Sequence, residues 1–249
     1  MHRKKGEARE NASREHRALH AVTGNCGWQE TTVTDSTGEM KIEYGTYHSS
    51  DAEAMVKLLG EMFSRYDPPA VAVGLTTSEF EAFVRVLCPK VVVEGLTIVA
   101  RLADTGELIG VLLTEDSASA QPKEIDRLSA KFDPIFDILG QLDTEYRGDQ
   151  KVRPGESLHL YLLGVSDRVA RRGVAQQLVS TCLEHGRRRG YRVAVTEATN
   201  KVSQYIFRKQ GFVARAQRSY EAHRFEGRQV FAAIAEYGGP ILMDKLLAA

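Results

Sequence analysis

The segment that most constrains the fold is a strand pattern that runs into a helix pattern in the second half of the chain. Residues 158–165 form a largely apolar run of strand length, and residues 173–188 have the apolar spacing of an amphipathic helix. A strand at 192–198 and a short helix at 203–209 repeat this alternation. Strands that alternate with helices require a sheet with helices packed against it, so we expect an α/β fold.

The first half of the chain predicts that much of this sheet is antiparallel. Two β-branched, apolar runs at 91–100 and 108–115 are separated by the turn signal Asp104-Thr105-Gly106, which predicts a hairpin. The other predicted elements are a strand at 41–46, helices at 52–65, 77–87 (ended by Pro89) and 133–140, and strands near 225, at 230–234 and at 241–246. The predicted fold class is α/β (α+β), with a mixed, mostly antiparallel central sheet flanked by helices.

Residues 1–39 differ in composition from the rest of the chain. They are rich in Arg, Lys, Glu, Ser, Thr and Asn and contain few aliphatic residues. Such a segment cannot bury enough apolar surface to offset the entropy lost on ordering. We therefore predict a disordered N-terminal extension over residues 1–39 and one globular domain over residues 40–249.

Charge and cysteine content argue against several classes of protein. The 33 Lys and Arg residues balance 33 Asp and Glu residues, so no net charge favours nucleic acid or an anionic membrane as a partner. Cys26, Cys88 and Cys182 are far apart and odd in number, which argues against a disulfide framework and a metal site. The chain has no apolar run of membrane-spanning length and no secretory signal, so we expect a cytoplasmic protein. A homodimer is one of the assemblies that the sequence allows.

The turn between the central strand and the long helix has the features of a phosphate-binding site. Free N–H groups in the first helical turn and the positive end of the helix dipole attract an anion, and Gly173 lets the backbone approach it. Arg171 and Arg172 add positive charge. A Walker A loop and a G-x-G-x-x-G fingerprint are both missing, which excludes nucleotide hydrolysis and nicotinamide chemistry. These residues alone fit equally well a tight strand-to-helix connection with a solvated charge pair.

The same residues resemble the acetyl-CoA motif of GCN5-related N-acetyltransferases (GNAT), written Q/R-x-x-G-x-G/A after a strand. The motif match lies in the strand at 160–165 and in the turn and helix at 171–178, and it continues to Asn200 and to Gly211-Phe212. The resemblance as a whole covers roughly residues 40–247, and its specific motifs lie between residues 158 and 212. It implies a GNAT-like acyl-CoA N-acyltransferase fold, acetyl-CoA as co-substrate and no metal. The cofactor-binding residues that it implies are Leu163, Gly164, Val165, Arg171, Arg172, Gly173, Val174, Ala175, Asn200 and Ser203.

Two positions depart from the family's pattern. Ala170 stands where the motif has Gln or Arg, although Arg171 beside it offers a comparable charge. Phe207 occupies the place of the tyrosine that many members use as general acid. Tyr205 is two positions away and faces another side of the helix, so it is not a substitute.

Within the family, the chain is most similar to the arylalkylamine and dopamine N-acetyltransferase branch. The similarity lies in Asp67-Pro68-Pro69 followed by Val73-Gly74-Leu75, in Thr196-Glu197-Ala198-Thr199 with Ser203, and in Gly239-Pro240 before a terminal strand. In that branch a carboxylate acts as base and hydroxyls on the later helix assist. By position, the resemblance implies Asp67 as the base and Ser203 and Thr199 as the hydroxyls. The alternative role of Asp67 is a helix stop before Pro68, and that of Ser203 is a helix cap.

The chemistry of amine acylation fits these roles. A primary amine has a pKa of about 10.4 and must lose a proton before it attacks a thioester. A free aspartate, with a pKa of about 3.9, is a weak base, so Asp67 needs burial or a water relay. Backbone N–H groups near Leu163 and Val165 could stabilise the charge that develops on the carbonyl oxygen.

The sequence therefore predicts an acetyl-CoA-dependent N-acetyltransferase that acts on a small primary amine by direct attack in a ternary complex. The alternative is a non-catalytic acyl-CoA-binding or regulatory module, which Ala170 and Phe207 favour. Modification of protein lysines or N-termini is a third option. His159 and His185 are isolated in the sequence and are expected in surface or packing roles. Tyr146, Tyr161 and Phe63 are the aromatic candidates for an amine pocket.

Overall fold

A computed structural model of the chain describes residues 29–35 and 38–247. Its strands are β1 (Gln29–Asp35), β2 (Gly38–Thr46), β3 (Ile98–Leu102), β4 (Leu108–Asp116), β5 (Ser157–Val165), β6 (Val193–Ala198), β7 (Val213–Gln217) and β8 (Ile241–Leu246). Its α-helices are α1 (Ala52–Tyr66), α2 (Pro68–Ala72), α3 (Thr77–Glu94), α4 (Asp133–Arg147), α5 (Val174–Arg188) and α6 (Lys201–Lys209). The strands form one eight-stranded sheet in the order β1-β2-β3-β4-β5-β6-β8-β7.

The sheet is antiparallel at every junction except that between β5 and β6, which is parallel. The predicted mixed, mostly antiparallel sheet is confirmed. One hydrophobic core lies between the sheet and α5 and α6, and it includes Leu178 and Phe207. A second core lies under α1, α3 and α4 and includes Leu59 and Phe83. The sheet therefore has helices on both faces, because each helix buries one apolar stripe.

Helix α3 does not end before Pro89, as the sequence predicts, but continues through it to Glu94. A proline inside a helix removes one hydrogen bond and costs about 3 kcal/mol. Leu87 and Val91, which flank the proline one turn apart, are both fully buried in the second core. Burial of two such side chains contributes about 1.5–3 kcal/mol each and outweighs the proline.

The predicted strand at 91–100 is correspondingly wrong in its first part. Residues 91–94 belong to α3, Gly95 ends the helix in the left-handed conformation, and β3 begins only at Ile98. The apolar run was misleading because Val93 is 87 % exposed on the helix surface. The hairpin itself is confirmed, with β3 and β4 paired antiparallel around the turn at 104–106.

Ordered structure begins before Met40. Strand β1 lies within the segment predicted to be disordered and pairs antiparallel with β2. Backbone hydrogen bonds to β2 hold β1 in place, although β1 has little apolar surface to bury. The side-chain amide of Gln29 also contacts α5: it accepts a hydrogen bond from Thr181 and donates one to Glu184. The rest of the predicted extension, residues 1–28, lies outside the described residues, as does Cys26.

The segment between α6 and β8 differs most from the sequence prediction. No strand forms at 225 or 230–234 among the described residues; Phe225 makes one isolated bridge and Ala232–Tyr237 is a 3-10 helix. Phe231 is fully buried in the second core, so its apolar character reflects packing and not strand formation. The strand that the sequence missed is β7, which has mostly exposed side chains. Helix α4 also runs about two turns beyond residue 140, to Arg147, and buries Leu142 in this part. The terminal strand at 241–246 is confirmed.

No helix in the described part of the chain is long and apolar enough to cross a membrane. Cys88 and Cys182 are free thiols.

Candidate active site

The site lies where the parallel strands β5 and β6 part. They pair only from Ser157 to His159 on β5 and from Val193 to Val195 on β6. Beyond this point β5 stays with β4 and β6 stays with β8. The Leu160 carbonyl accepts a hydrogen bond from the Thr196 hydroxyl across the gap at 2.9 Å, but the described part of β5 beyond His159 has no backbone pairing with β6. A cavity of about 660 Å³ opens there. Leu163, Gly164 and Val165 line this cavity, as expected for a wedge that receives an acyl thioester.

The turn that follows β5 leads into a helix N-terminus without a side-chain cap. Gly173 is the N-cap of α5, and among the residues that the structure describes this helix start has no side-chain cap. Gly173 has φ +79°, and a Cβ built on it meets nothing within 4 Å, so the glycine is needed for its backbone conformation and not for space. Arg171 also has a positive φ, of 63°. Uncapped amides and an exposed Arg171 suit an anion.

Asp67 is buried at the wall of the same cavity. It follows α1 and is the N-cap of α2, so one carboxylate oxygen accepts a hydrogen bond from the N–H of Ala70 at 3.3 Å. The other accepts a hydrogen bond from the Thr199 hydroxyl at 2.6 Å. The residue is only 8 % exposed. Burial raises the pKa of Asp67 to about 6, and the hydrogen bonds from Thr199 and Ala70 offset only part of this rise.

We expect Asp67→Asn to stabilise the protein at neutral pH. The pKa of the carboxyl is near 3.8 in the unfolded chain and about 6 in the fold, so the folded state binds more protons between these values. Stability therefore falls as pH rises from about 4 to about 6 and stays lower above, by up to about 3 kcal/mol for a two-unit shift. Denaturant unfolding at pH 7.5 should show the variant about 1–3 kcal/mol more stable. The difference should shrink towards pH 4.5, and a pH-independent difference would contradict this cause.

The predicted residues after β6 are brought together with Asp67, but in different roles. Thr199 contacts Asp67, and its backbone carbonyl accepts a hydrogen bond from the Tyr220 hydroxyl at 2.7 Å. Asn200 and Ser203 instead form a reciprocal cap at the start of α6. The Ser203 hydroxyl donates to the Asn200 carbonyl at 2.9 Å and accepts from the Asn200 N–H at 3.3 Å. The helix-cap role of Ser203 is therefore present, and its catalytic role stays a prediction.

Phe207 lines the cavity and is buried in the first core, where its ring centroid lies 5.1 Å from that of Phe212. It offers no proton to a leaving thiolate. Tyr205 is 55 % exposed and does not line the cavity, so it does not replace the missing tyrosine.

One side of the cavity is aromatic. Adjacent rings contact each other, with centroids 4.9 Å apart for Phe63 and Phe80 and 5.6 Å apart for Phe132 and Phe136. The aromatic residues on this side are Phe63, Phe80, Phe83, Phe132, Phe136 and Tyr161. Two of the three aromatic candidates, Phe63 and Tyr161, are thus at the site. Tyr146 does not line the cavity, and its hydroxyl donates to Asp244 on β8.

A row of buried charges, which sequence reasoning missed, reaches the cavity beside Tyr161. The Lys90 ammonium lies 2.6 Å from Glu115, Glu115 lies 3.0 Å from Nδ1 of His159, and Nε2 of His159 lies 2.7 Å from Glu197. Burial alone would lower the pKa of His159, but the charges and hydrogen bonds of Glu197 and Glu115 raise it to about 10. Burial would likewise raise the pKa of Glu115, but His159 and Lys90 lower it to about 2. His159 is therefore an imidazolium and not an isolated packing residue.

The parted strands and the uncapped helix N-terminus have the arrangement expected of an acyl-CoA-dependent acyltransferase. The chain belongs to the acetyltransferase (GNAT) family, whose model matches residues 76–212, more than half of the chain.

Three solved structures show the same fold. The C-terminal condensation domain of Ebony, in complex with beta-alanyl-dopamine, is 14 % identical with a TM-score of 0.76, covering 83 % of this chain and 99 % of that one. Arylalkylamine N-acetyltransferase 2 from Aedes aegypti is 20 % identical with a TM-score of 0.68 and the same two coverages. The polyamine N-acetyltransferase of Drosophila melanogaster, which forms N-acetylagmatine, is 17 % identical with a TM-score of 0.66, covering 83 % and 100 %.

Proposed function

We propose that this protein is an acetyl-CoA-dependent N-acetyltransferase that acetylates a small primary amine by direct attack in a ternary complex. The observation that carries the proposal is the carboxylate of Asp67, buried on the cavity wall and held by Thr199. The structural neighbours include enzymes that acetylate arylalkylamines and polyamines, which supports an amine as acceptor.

Asp67 is the base in this proposal. Its pKa of about 6 leaves it mainly ionised at neutral pH and makes it a stronger base than a free aspartate. It takes a proton from the bound ammonium, directly or through a water molecule, and the Thr199 hydroxyl keeps the carboxylate oriented. The rise in pKa through burial supplies the basicity that the residue type lacks.

The chain's own groups also fit acetyl-CoA. The uncapped first turn of α5, with Arg171 and Arg172 before it, suits the pyrophosphate. Leu163 and Val165 lie on the unpaired side of β5, where backbone N–H groups can stabilise charge on a carbonyl oxygen. When bound, acetyl-CoA supplies an activated thioester whose thiolate leaves with a pKa near that of cysteine, about 8.5. Such a leaving group needs little acid assistance, so Phe207 is compatible with turnover.

The alternative, a non-catalytic acyl-CoA-binding module, is favoured by Ala170 and by the burial of Phe207. The two proposals differ in one measurement, thiol release. We expect CoA thiol to appear when the protein is mixed with acetyl-CoA and a panel of arylalkylamines, diamines and amino acids. If acetyl-CoA binds by calorimetry and no amine in the panel releases thiol, the enzyme proposal is wrong and the binding module is supported.

A further inference from the structure

The row of charges described above, Lys90-Glu115-His159-Glu197, alternates in sign from the interior to the cavity. Each neighbouring pair is within 3.0 Å. The two cations and two anions sum to zero, but their order leaves a carboxylate at the cavity end. Glu197 lines the cavity, while the other three residues do not. A cation placed in the cavity would continue the alternation.

The Glu197 carboxylate has few hydrogen-bond partners for a group that is mostly shielded from solvent. Its side chain is only 11 % exposed. Among the described residues, His159 is the one whose hydrogen bond reaches its carboxylate. The neighbouring wall is aromatic, because Tyr161 stacks on His159 at 4.9 Å and meets Phe83 edge-on at 6.0 Å. A buried carboxylate is costly unless charge partners and hydrogen bonds surround it, and aromatic faces also attract cations.

Glu197 and Asp67 both line the same cavity. Glu197 is on β6, and Thr199 follows the end of this strand. The Thr199 hydroxyl donates a hydrogen bond to the Asp67 carboxylate at 2.6 Å. One amine with two cationic ends could therefore meet both carboxylates within this cavity.

The carboxylates of Glu197 and Asp67 have different surroundings, which suit them to different roles. His159, held as an imidazolium between two carboxylates, keeps Glu197 in contact with a positive charge. Within the described part of the chain no cation pairs with Asp67, which is held by a hydroxyl and an amide. Glu197 thus suits the binding of a cation, and Asp67, whose pKa is raised by burial to about 6, suits proton removal.

We propose that Glu197 binds a second cationic group on the acceptor, so that the preferred acceptors are short diamines or amines that carry a guanidinium group. This inference rests on the proposed function for the identity of the attacked amine. The aromatic side chains beside Glu197 would cover the methylene chain.

Three amines of equal chain length test the proposal: cadaverine, 5-aminopentan-1-ol and pentylamine. Their far ends carry a cation, a neutral hydrogen-bonding group and a methyl group. We expect calorimetric titration of the full chain to show cadaverine binding at least about tenfold more tightly than the other two, which is about 1.4 kcal/mol. Glu197→Gln should remove this preference and leave pentylamine binding unchanged, and Glu197→Asp should restore part of it.

Glu236→Gln is the matched control, because Glu236 also lines the cavity but is exposed at its rim. It should keep the preference for cadaverine. Retained pentylamine binding shows that Glu197→Gln is folded. The proposal is overturned if wild-type protein binds the three amines equally or not at all, if aminopentanol binds as tightly as cadaverine, or if the preference survives Glu197→Gln.

Thiol release separates this proposal from the proposed function. Binding of cadaverine through Glu197 without thiol release from acetyl-CoA supports the cation site and contradicts the enzyme. Thiol release without a dependence of diamine preference on Glu197 supports the enzyme and contradicts the cation site.

Discussion

Asp67→Asn should lower kcat for amine acetylation by about 10²- to 10⁴-fold, the usual contribution of a positioned general base. Asparagine has nearly the same shape. Its oxygen can still accept from the Ala70 N–H while its NH2 group donates to the Thr199 hydroxyl oxygen, so the cavity should be preserved. Asparagine cannot take up a proton. The loss should therefore fall on kcat, with the affinity for acetyl-CoA unchanged.

The dependence of kcat/KM on pH tests whether Asp67 is the group that accepts the proton. In the wild-type protein, kcat/KM should rise with pH and show an inflection near 6, where Asp67 ionises. The inflection should be missing in the residual activity of Asp67→Asn. Asp104→Asn, a change on an exposed turn, is the matched control and should leave both kcat and the profile unchanged. A loss of less than about fivefold for Asp67→Asn would exclude Asp67 as the base, since such a loss is far below that range.

Glu115→Ala should lower the free energy of unfolding by about 3–5 kcal/mol, the cost of breaking a buried ion pair from one side. Glu115 is 2 % exposed and lies between Lys90 and His159, so its removal takes away the anion that these two partly buried cations share. Loss of the proton from His159 would relieve part of the cost and place the effect at the lower end of the range. For a chain of this size, 3 kcal/mol corresponds to a fall in Tm of about 6–12 °C.

Denaturant unfolding at pH 7.5 would measure this effect, with Glu124→Ala as a control on an exposed glutamate. The quadruple variant Lys90→Met, Glu115→Leu, His159→Phe, Glu197→Leu should recover most of the loss, because replacing a whole buried ion network by apolar side chains is often neutral. A cost below about 1 kcal/mol for Glu115→Ala would be typical of an exposed pair and would contradict the buried row.

The sequence by itself determined the parts of this protein that depend on local pattern. The apolar spacing around Gly173 predicts both the strand before it and the helix after it, and the glycine predicts the uncapped turn between them. Both signals are local, because they depend only on residues a few positions apart in the sequence. The hairpin around residues 104–106 follows from turn chemistry in the same way. The resemblance of these segments to GNAT proteins also indicated Asp67 and Thr199, although they are 132 residues apart.

Only the tertiary structure decided how these residues behave chemically. The pKa of Asp67 depends on burial by elements from distant parts of the chain, which no local pattern encodes. His159 looked isolated because its partners Glu115 and Glu197 are 44 and 38 residues away. Lys90 joins the row because α3 continues through Pro89, where core packing overrides the helix-breaking tendency of proline. Burial and charge pairing arise only when distant segments pack together, and they set the pKa values of Asp67 and His159.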